Sequence, residues 1–129
     1  MFEQAWDALD RVKSPPLVPN AEAIDFTHLA RMTLGAPTLE HDILRLFDWQ
    51  AEMLAARIDV ATPRLAAASA HTLKCTAQGI GAWRIARLAD EVETTAARPD
   101  RTELAQSVAA LLAAICEARS LISERLCAD

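Results

Sequence analysis

The stretch TPRLAAASAHTLKCTAQGIGA, residues 62–82, reads as one helix that ends in a turn. Thr62 followed by Pro63 is a start signal: a capping hydroxyl, then a proline at the first helical position, where its missing N–H costs nothing. Apolar residues then recur at helical spacing. At about 100° per residue, Leu65, Ser69, Leu73, Ala77 and Ile80 fall along one side, which is expected to be buried. Gly79 and Gly81 bracket an expected break near Ile80. His71 lies roughly 200° around the helix from Leu73 and therefore projects into water. Its neighbours on that face are Arg64, Ala67 and Ala68 toward the start of the helix, and Lys74, Cys75 and Gln78 toward its end.

Alanines and a cysteine leave this imidazole raised above low relief, so a second protein's active site can close over it. Lys74, one turn on, is placed to balance anionic charge as a mobile ammonium. An exposed histidine is partly neutral near pH 7, and its neutral ring nitrogen is a competent nucleophile. The same geometry suits a histidine that merely solvates the helix. Spacing alone does not choose between the two.

Working outward, prolines and glycines divide the rest of the chain. Phe2, Trp6, Leu9 and Val12 give residues 1–13 one apolar stripe, and residues 14–23 with Pro15, Pro16 and Pro19 read as a linker. Asp25 is placed to cap a short helix carrying Phe26, Leu29 and Met32, which Gly35 ends. Pro37 opens a long helix with Leu39, Ile43, Leu46, Phe47, Met53, Leu54 and Ile58 at helical spacing. After Gly81, a helix turns Ile85, Leu88, Ala89 and Val92 inward and ends near Arg98-Pro99. Asp100 with Glu103 resembles a capping box that starts the last helix, with Leu104, Val108, Leu111, Ile115, Ile122 and Leu126 inward. Four long helices joined by short turns imply an all-α, up-down-up-down antiparallel four-helix bundle over residues 24–129, with the short N-terminal helices as additions.

Composition narrows the function classes. The 129 residues fit one core, 52% are apolar, and the formal net charge is −5. With no block of lysine or arginine, nucleic acid and anionic membranes are unexpected partners. The acidic N-terminus lacks the pattern of a signal peptide, and the longest apolar run, Val108 to Cys116, is too short to span a bilayer. Cys75, Cys116 and Cys127 form no CxxC pair and suit a reducing cytoplasm. Asp25-x-x-His28 occurs once and reads as a cap, so no metal site is expected, and no glycine-rich phosphate loop is present.

The segment Ala70-His71-Thr72-Leu73-Lys74-Cys75-Thr76-Ala77-Gln78-Gly79-Ile80-Gly81-Ala82 resembles the signature of histidine-containing phosphotransfer (HPt) domains. That pattern is roughly A-H-x-L-K-G-[SA]-A, a short spacer, then an aliphatic residue before Gly-Ala. Leu88, Ala89 and Glu91-Val92-Glu93 continue the likeness, which spans roughly residues 22–129 but is specific only over 70–82. The resemblance implies that His71 is the phosphoacceptor, that Lys74 helps hold the phosphoryl group and that Gln78 is a polar neighbour. A docking partner is then expected on the face of Arg64, Ala67, Ala68 and Cys75, with Arg84 at its border or simply solvated. Partners would be response-regulator receiver domains or a hybrid histidine kinase. The receiver would supply the aspartate and Mg²⁺, with no cofactor bound by this chain, which would act as a monomer in phosphorelay signalling.

One departure stands beside the histidine: Cys75 occupies the place of the family's usual glycine. A small tolerated side chain, slower transfer and a narrower choice of partner are all compatible with it, and the alternative function is a non-catalytic adaptor that docks receivers or a kinase. The phosphoacceptor element of a histidine kinase fits less well, because Thr72 follows His71 and no proline comes soon after. The acids Asp90, Glu91 and Glu93 read as a solvated helix face, Trp6, Trp49 and Trp83 as half-buried packing, and His28 and His41 as incidental.

Overall fold

The computed structural model of the chain describes residues 23–60 and 62–128. The expected N-terminal helix and nearly all of the expected linker lie outside these residues. The described part is all-helical, with five helices: α1 (Phe26–Met32), α2 (Pro37–Val60), α3 (Pro63–Ile80), α4 (Trp83–Ala96) and α5 (Arg101–Ala128). The longer helices pack in a ring of neighbours, α2 on α3, α3 on α4, α4 on α5 and α5 back on α2, while α1 touches α3.

Local chemistry sets the helix ends. The Asp25 carboxylate accepts from the His28 backbone N–H at 3.0 Å, capping α1. Thr62 caps α3 by accepting from the Leu65 N–H at 3.4 Å, with Pro63 next in the chain. Asp100 accepts from the backbone N–H groups of Thr102 and Glu103 at 2.8 and 3.4 Å. The Glu103 carboxylate does not complete a reciprocal box; it pairs with Arg98 at 3.3 Å. Between α1 and α2, Leu34 and Gly35 both take positive φ, 53° and 74°, so the chain reverses sharply with the Leu34 side chain in water.

The core is a continuous cluster that includes Phe47, Leu54, Leu73, Ile85, Leu88, Val92, Leu111, Ile115 and Ile122. Its seams keep much of the expected stripes and correct them toward the starts of α3 and α2. On α3 the buried line is Ala66, Ala70, Leu73, Ala77 and Ile80, whereas Leu65 is 59% exposed and Ser69 half-buried. Alanines at spacing four let neighbouring helices approach closely, and that contact outweighs the larger area of Leu65. On α2 the line is Leu44, Phe47, Ala51, Leu54 and Ile58, and Leu39 and Leu46 lie off it and are exposed. Met32 and Trp49 are exposed as well, although both read as packing residues. The buried Glu40 at the start of the α2 seam is paired with Arg125 at 3.3 Å.

The turn between α3 and α4 is fixed by α1. Gly81 caps α3 at φ 88°, and a Cβ there would come within 3.1 Å of the Asp25 Cβ and carbonyl oxygen and of the His28 ring. The Asp25 N–H donates to the Gly81 carbonyl at 2.9 Å, and the Trp83 indole N–H donates to the Asp25 carboxylate at 3.0 Å. Burial works against the charge on Asp25, but the hydrogen bonds from Trp83 and the His28 backbone outweigh it and hold its pKa below the ordinary value. His28 is a structural residue, with Nε2 3.2 Å from the Gly79 carbonyl and its ring edge-on to Trp83 at 4.9 Å. Gly79 lies inside α3, and Gly81 alone forms the break.

Helix α5 is twice as long as α4, 28 residues against 14. Beyond α4 it packs along α2 and α1, with Arg119 on Asp48 at 2.7 Å and Arg125 over the Phe26 ring at 4.4 Å. By length and composition alone α5 is apolar enough to cross a membrane, although no single uninterrupted run in it is. Its Leu111, Ala114, Ile115, Ala118 and Ile122 belong to the core described above.

Candidate functional site

Opposite the buried seam of α3, His71 stands with 58% of its side chain exposed, while Ala70 and Leu73 beside it in sequence are fully enclosed. The ring is not free to turn. Its Nδ1 lies 3.0 Å from Oε2 of Glu93 on α4. An ionised carboxylate can only accept, so Nδ1 carries the hydrogen, and in the neutral ring the lone pair is then on Nε2. Beyond Nε2 the nearest side-chain atom of note is the Cys75 Sγ, 3.9 Å away and exposed.

Glu93 also reaches the residue one turn after His71. The Lys74 Nζ lies 2.9 Å from its Oε1, an ion pair by distance whose angles fall short of an aligned hydrogen bond. The same ammonium donates to Asp90 Oδ1 at 3.0 Å. The Glu93 carboxylate first, and Asp90 after it, hold the Lys74 pKa above the ordinary lysine value. Lys74 is only 22% exposed and lies against α4. It is a tethered ammonium, not the mobile one its spacing on α3 implied.

No protein-family profile, curated protein or solved structure matches the chain. The chemistry of the site therefore rests on its own geometry. Among the described residues, no group of three histidine, cysteine or acidic side chains is arranged to hold a metal ion.

The other expected site residues divide into two sets. Arg64, Ala68, Cys75 and Gln78 are exposed on α3, and Ala67 is half-buried. Arg84, on α4, is tied to Glu117 of α5 at 2.8 Å, so its charge is already balanced. Arg87 pairs along its own helix with Glu91 at 3.5 Å.

Two residues of the site, Glu93 and Asp90, were read from sequence as a solvated acidic face. The turn at Gly81–Ala82 contains the signal that finds them. If α3 and α4 run antiparallel, residues equidistant from Ala82 face each other, and the pairs His71–Glu93 and Lys74–Asp90 both satisfy this. The carboxylates lie one turn apart on α4, opposite a histidine and lysine one turn apart on α3. A charge run on one helix thus becomes a site only when its hairpin partner is considered with it.

Proposed function

We propose that this chain is a histidine phosphotransfer protein in which His71 carries a phosphoryl group between receiver-domain aspartates of a two-component phosphorelay. The observation that carries the reading is an exposed imidazole whose Nδ1 is held by a carboxylate, leaving Nε2 only the weak contact with the Cys75 thiol at 3.9 Å. In the step this implies, the Nε2 lone pair forms an N–P bond as the P–O bond to the donor aspartate breaks. The aspartate leaves as a carboxylate with the electron pair. Nδ1 keeps its hydrogen, and Glu93 stabilises the positive charge the ring acquires. Lys74 balances the phosphoryl charge, and Gln78 offers a polar neighbour on the same face.

The helical arrangement in this proposal is an up-down-up-down four-helix bundle of α2 to α5, with α1 sealing one end. Its support is the order of the cross-helix pairs: Glu40 meets Arg125 while Asp48 meets Arg119, and His71 meets Glu93 while Lys74 meets Asp90. Both helix pairs run in opposite directions. The chain would work as a cytoplasmic monomer and dock a receiver domain, or a hybrid kinase, over Arg64, Ala67, Ala68 and Cys75. The partner would bring the Mg²⁺ and the acceptor or donor aspartate.

The test is transfer from a receiver carrying labelled aspartyl phosphate. Acid-labile label should appear on the wild-type chain and be absent from His71→Gln; equal labelling of the two would overturn the assignment. A second reading, a docking adaptor that does not accept phosphate, draws on the Cys75 thiol beside Nε2. Receiver binding without any labelling of the wild type is its signature.

A further inference from the structure

The cluster around Lys74 contains one acid more than phosphoryl transfer by His71 needs. Glu93 has two tasks, one oxygen toward His71 and the other toward Lys74. Asp90 touches Lys74 and not His71, and it is the outer of the two acids, 61% exposed against 27% for Glu93. A single ammonium is thus shared by two carboxylates, and with a neutral imidazole the group of four carries a net charge of −1. An incoming phosphoryl group adds more negative charge on the same face, and the only cation in the group is already doubly engaged.

Resting on the phosphotransfer reading, we infer that Asp90 is a positioning residue that holds Lys74 against α4 and so restrains phosphorylation of His71. In this inference Lys74 turns from α4 toward a phosphoryl group on Nε2 and exchanges the more exposed of its two contacts, the one with Asp90, for the phosphoryl oxygens. The Glu93 contact with the ring need not break, because it uses a different oxygen. Both contacts of Lys74 are charge-assisted, and the one with Asp90 is largely in water, so the exchange is unfavourable only by a small factor. Asp90 thereby tunes how readily the imidazole loads without touching it.

The experiment uses the full chain and potassium phosphoramidate, a small donor that needs no partner protein: its P–N bond breaks with loss of ammonia as the His71 Nε2–P bond forms. The rate of phosphoryl gain is followed by intact mass for wild type, Asp90→Asn, Asp90→Glu, Lys74→Met and the Asp90→Asn/Lys74→Met pair. Asp90→Asn should load faster by about two- to fivefold, the range an exposed ion pair commands. Asp90→Glu should return toward the wild-type rate, and in the Lys74→Met background the Asp90 substitution should have no effect. Equal rates for wild type and Asp90→Asn overturn the inference. So does an acceleration that persists without Lys74, which would make Asp90 a bare repulsive charge. If His71 gains no phosphoryl group in any variant, from phosphoramidate or from the labelled receiver, the phosphotransfer reading itself fails and the inference with it.

Discussion

His28 packs from α1 against the turn of the α3–α4 hairpin, His71 sits midway along α3, and the two are held in opposite ways. His28 lies on α1 with its ring edge-on to Trp83 and Nε2 against the Gly79 carbonyl, where it helps clamp the α3–α4 turn. His71 is more than half exposed, and its hydrogen bond runs through Nδ1 to the Glu93 carboxylate. The first ring is packed on an aromatic and uses Nε2 on a neutral carbonyl. The second is pinned by a charge and leaves Nε2 to the weak Cys75 contact. The two contacts take different ring nitrogens, and in the proposed reading that choice leaves Nε2 of His71 available to a phosphoryl group.

Substitutions in the two regions should therefore separate stability from chemistry. The largest effect belongs to the clamp. Gly81→Ala places a Cβ at φ 88° and 3.1 Å from Asp25 and His28, and should lower unfolding free energy in urea by about 1–3 kcal/mol. Its labelling rate under native conditions should remain that of the wild type, and a matching loss of labelling would join the two regions again.

In the other region, Glu93→Ala should slow phosphoryl gain by about tenfold, the lower end of what a hydrogen bond to a charged group contributes. The urea midpoint should move less than for Gly81→Ala, since the lost contacts join surface side chains and no backbone strain is introduced. A large loss of stability with an unchanged rate would instead make Glu93 a structural residue.

The smallest effect is the pH response of the clamp. Because the Asp25 pKa is depressed in the folded chain, its contribution is fully present above the unfolded value near 3.8 and is lost as pH falls through the lower folded value. Asp25→Asn should flatten this part of the acid unfolding curve while leaving the behaviour near neutrality almost unchanged. Protection of the His28 backbone amide from hydrogen exchange is the local readout.

Much of the framework was legible in the sequence because its signals are local. Asp25, Pro37, Thr62-Pro63, Gly81 and Asp100 each mark a helix end through their own backbone chemistry, and each stands at one. The seams were less legible. Hydrophobicity ranks Leu39, Leu46 and Leu65 above Ala51, Ala66 and Ala70, yet the alanines are the buried residues, because the packing of neighbouring helices decides which face turns inward. Within the site, the direction of His71 followed from helical period on α3 alone. Its carboxylate partner, the tether on Lys74 and the clamp made by His28 depend on contacts between helices, which no single-helix period contains.

The most direct measurement is the identity of the nitrogen that carries phosphate. Chains labelled with ¹⁵N in histidine, loaded by a phosphorylated receiver and read by ¹⁵N–³¹P coupling, should show the phosphoryl group on Nε2 of His71, with Nδ1 still protonated. A phosphoryl group on Nδ1, or on another residue, would contradict the role of Glu93 and with it the reading of the site.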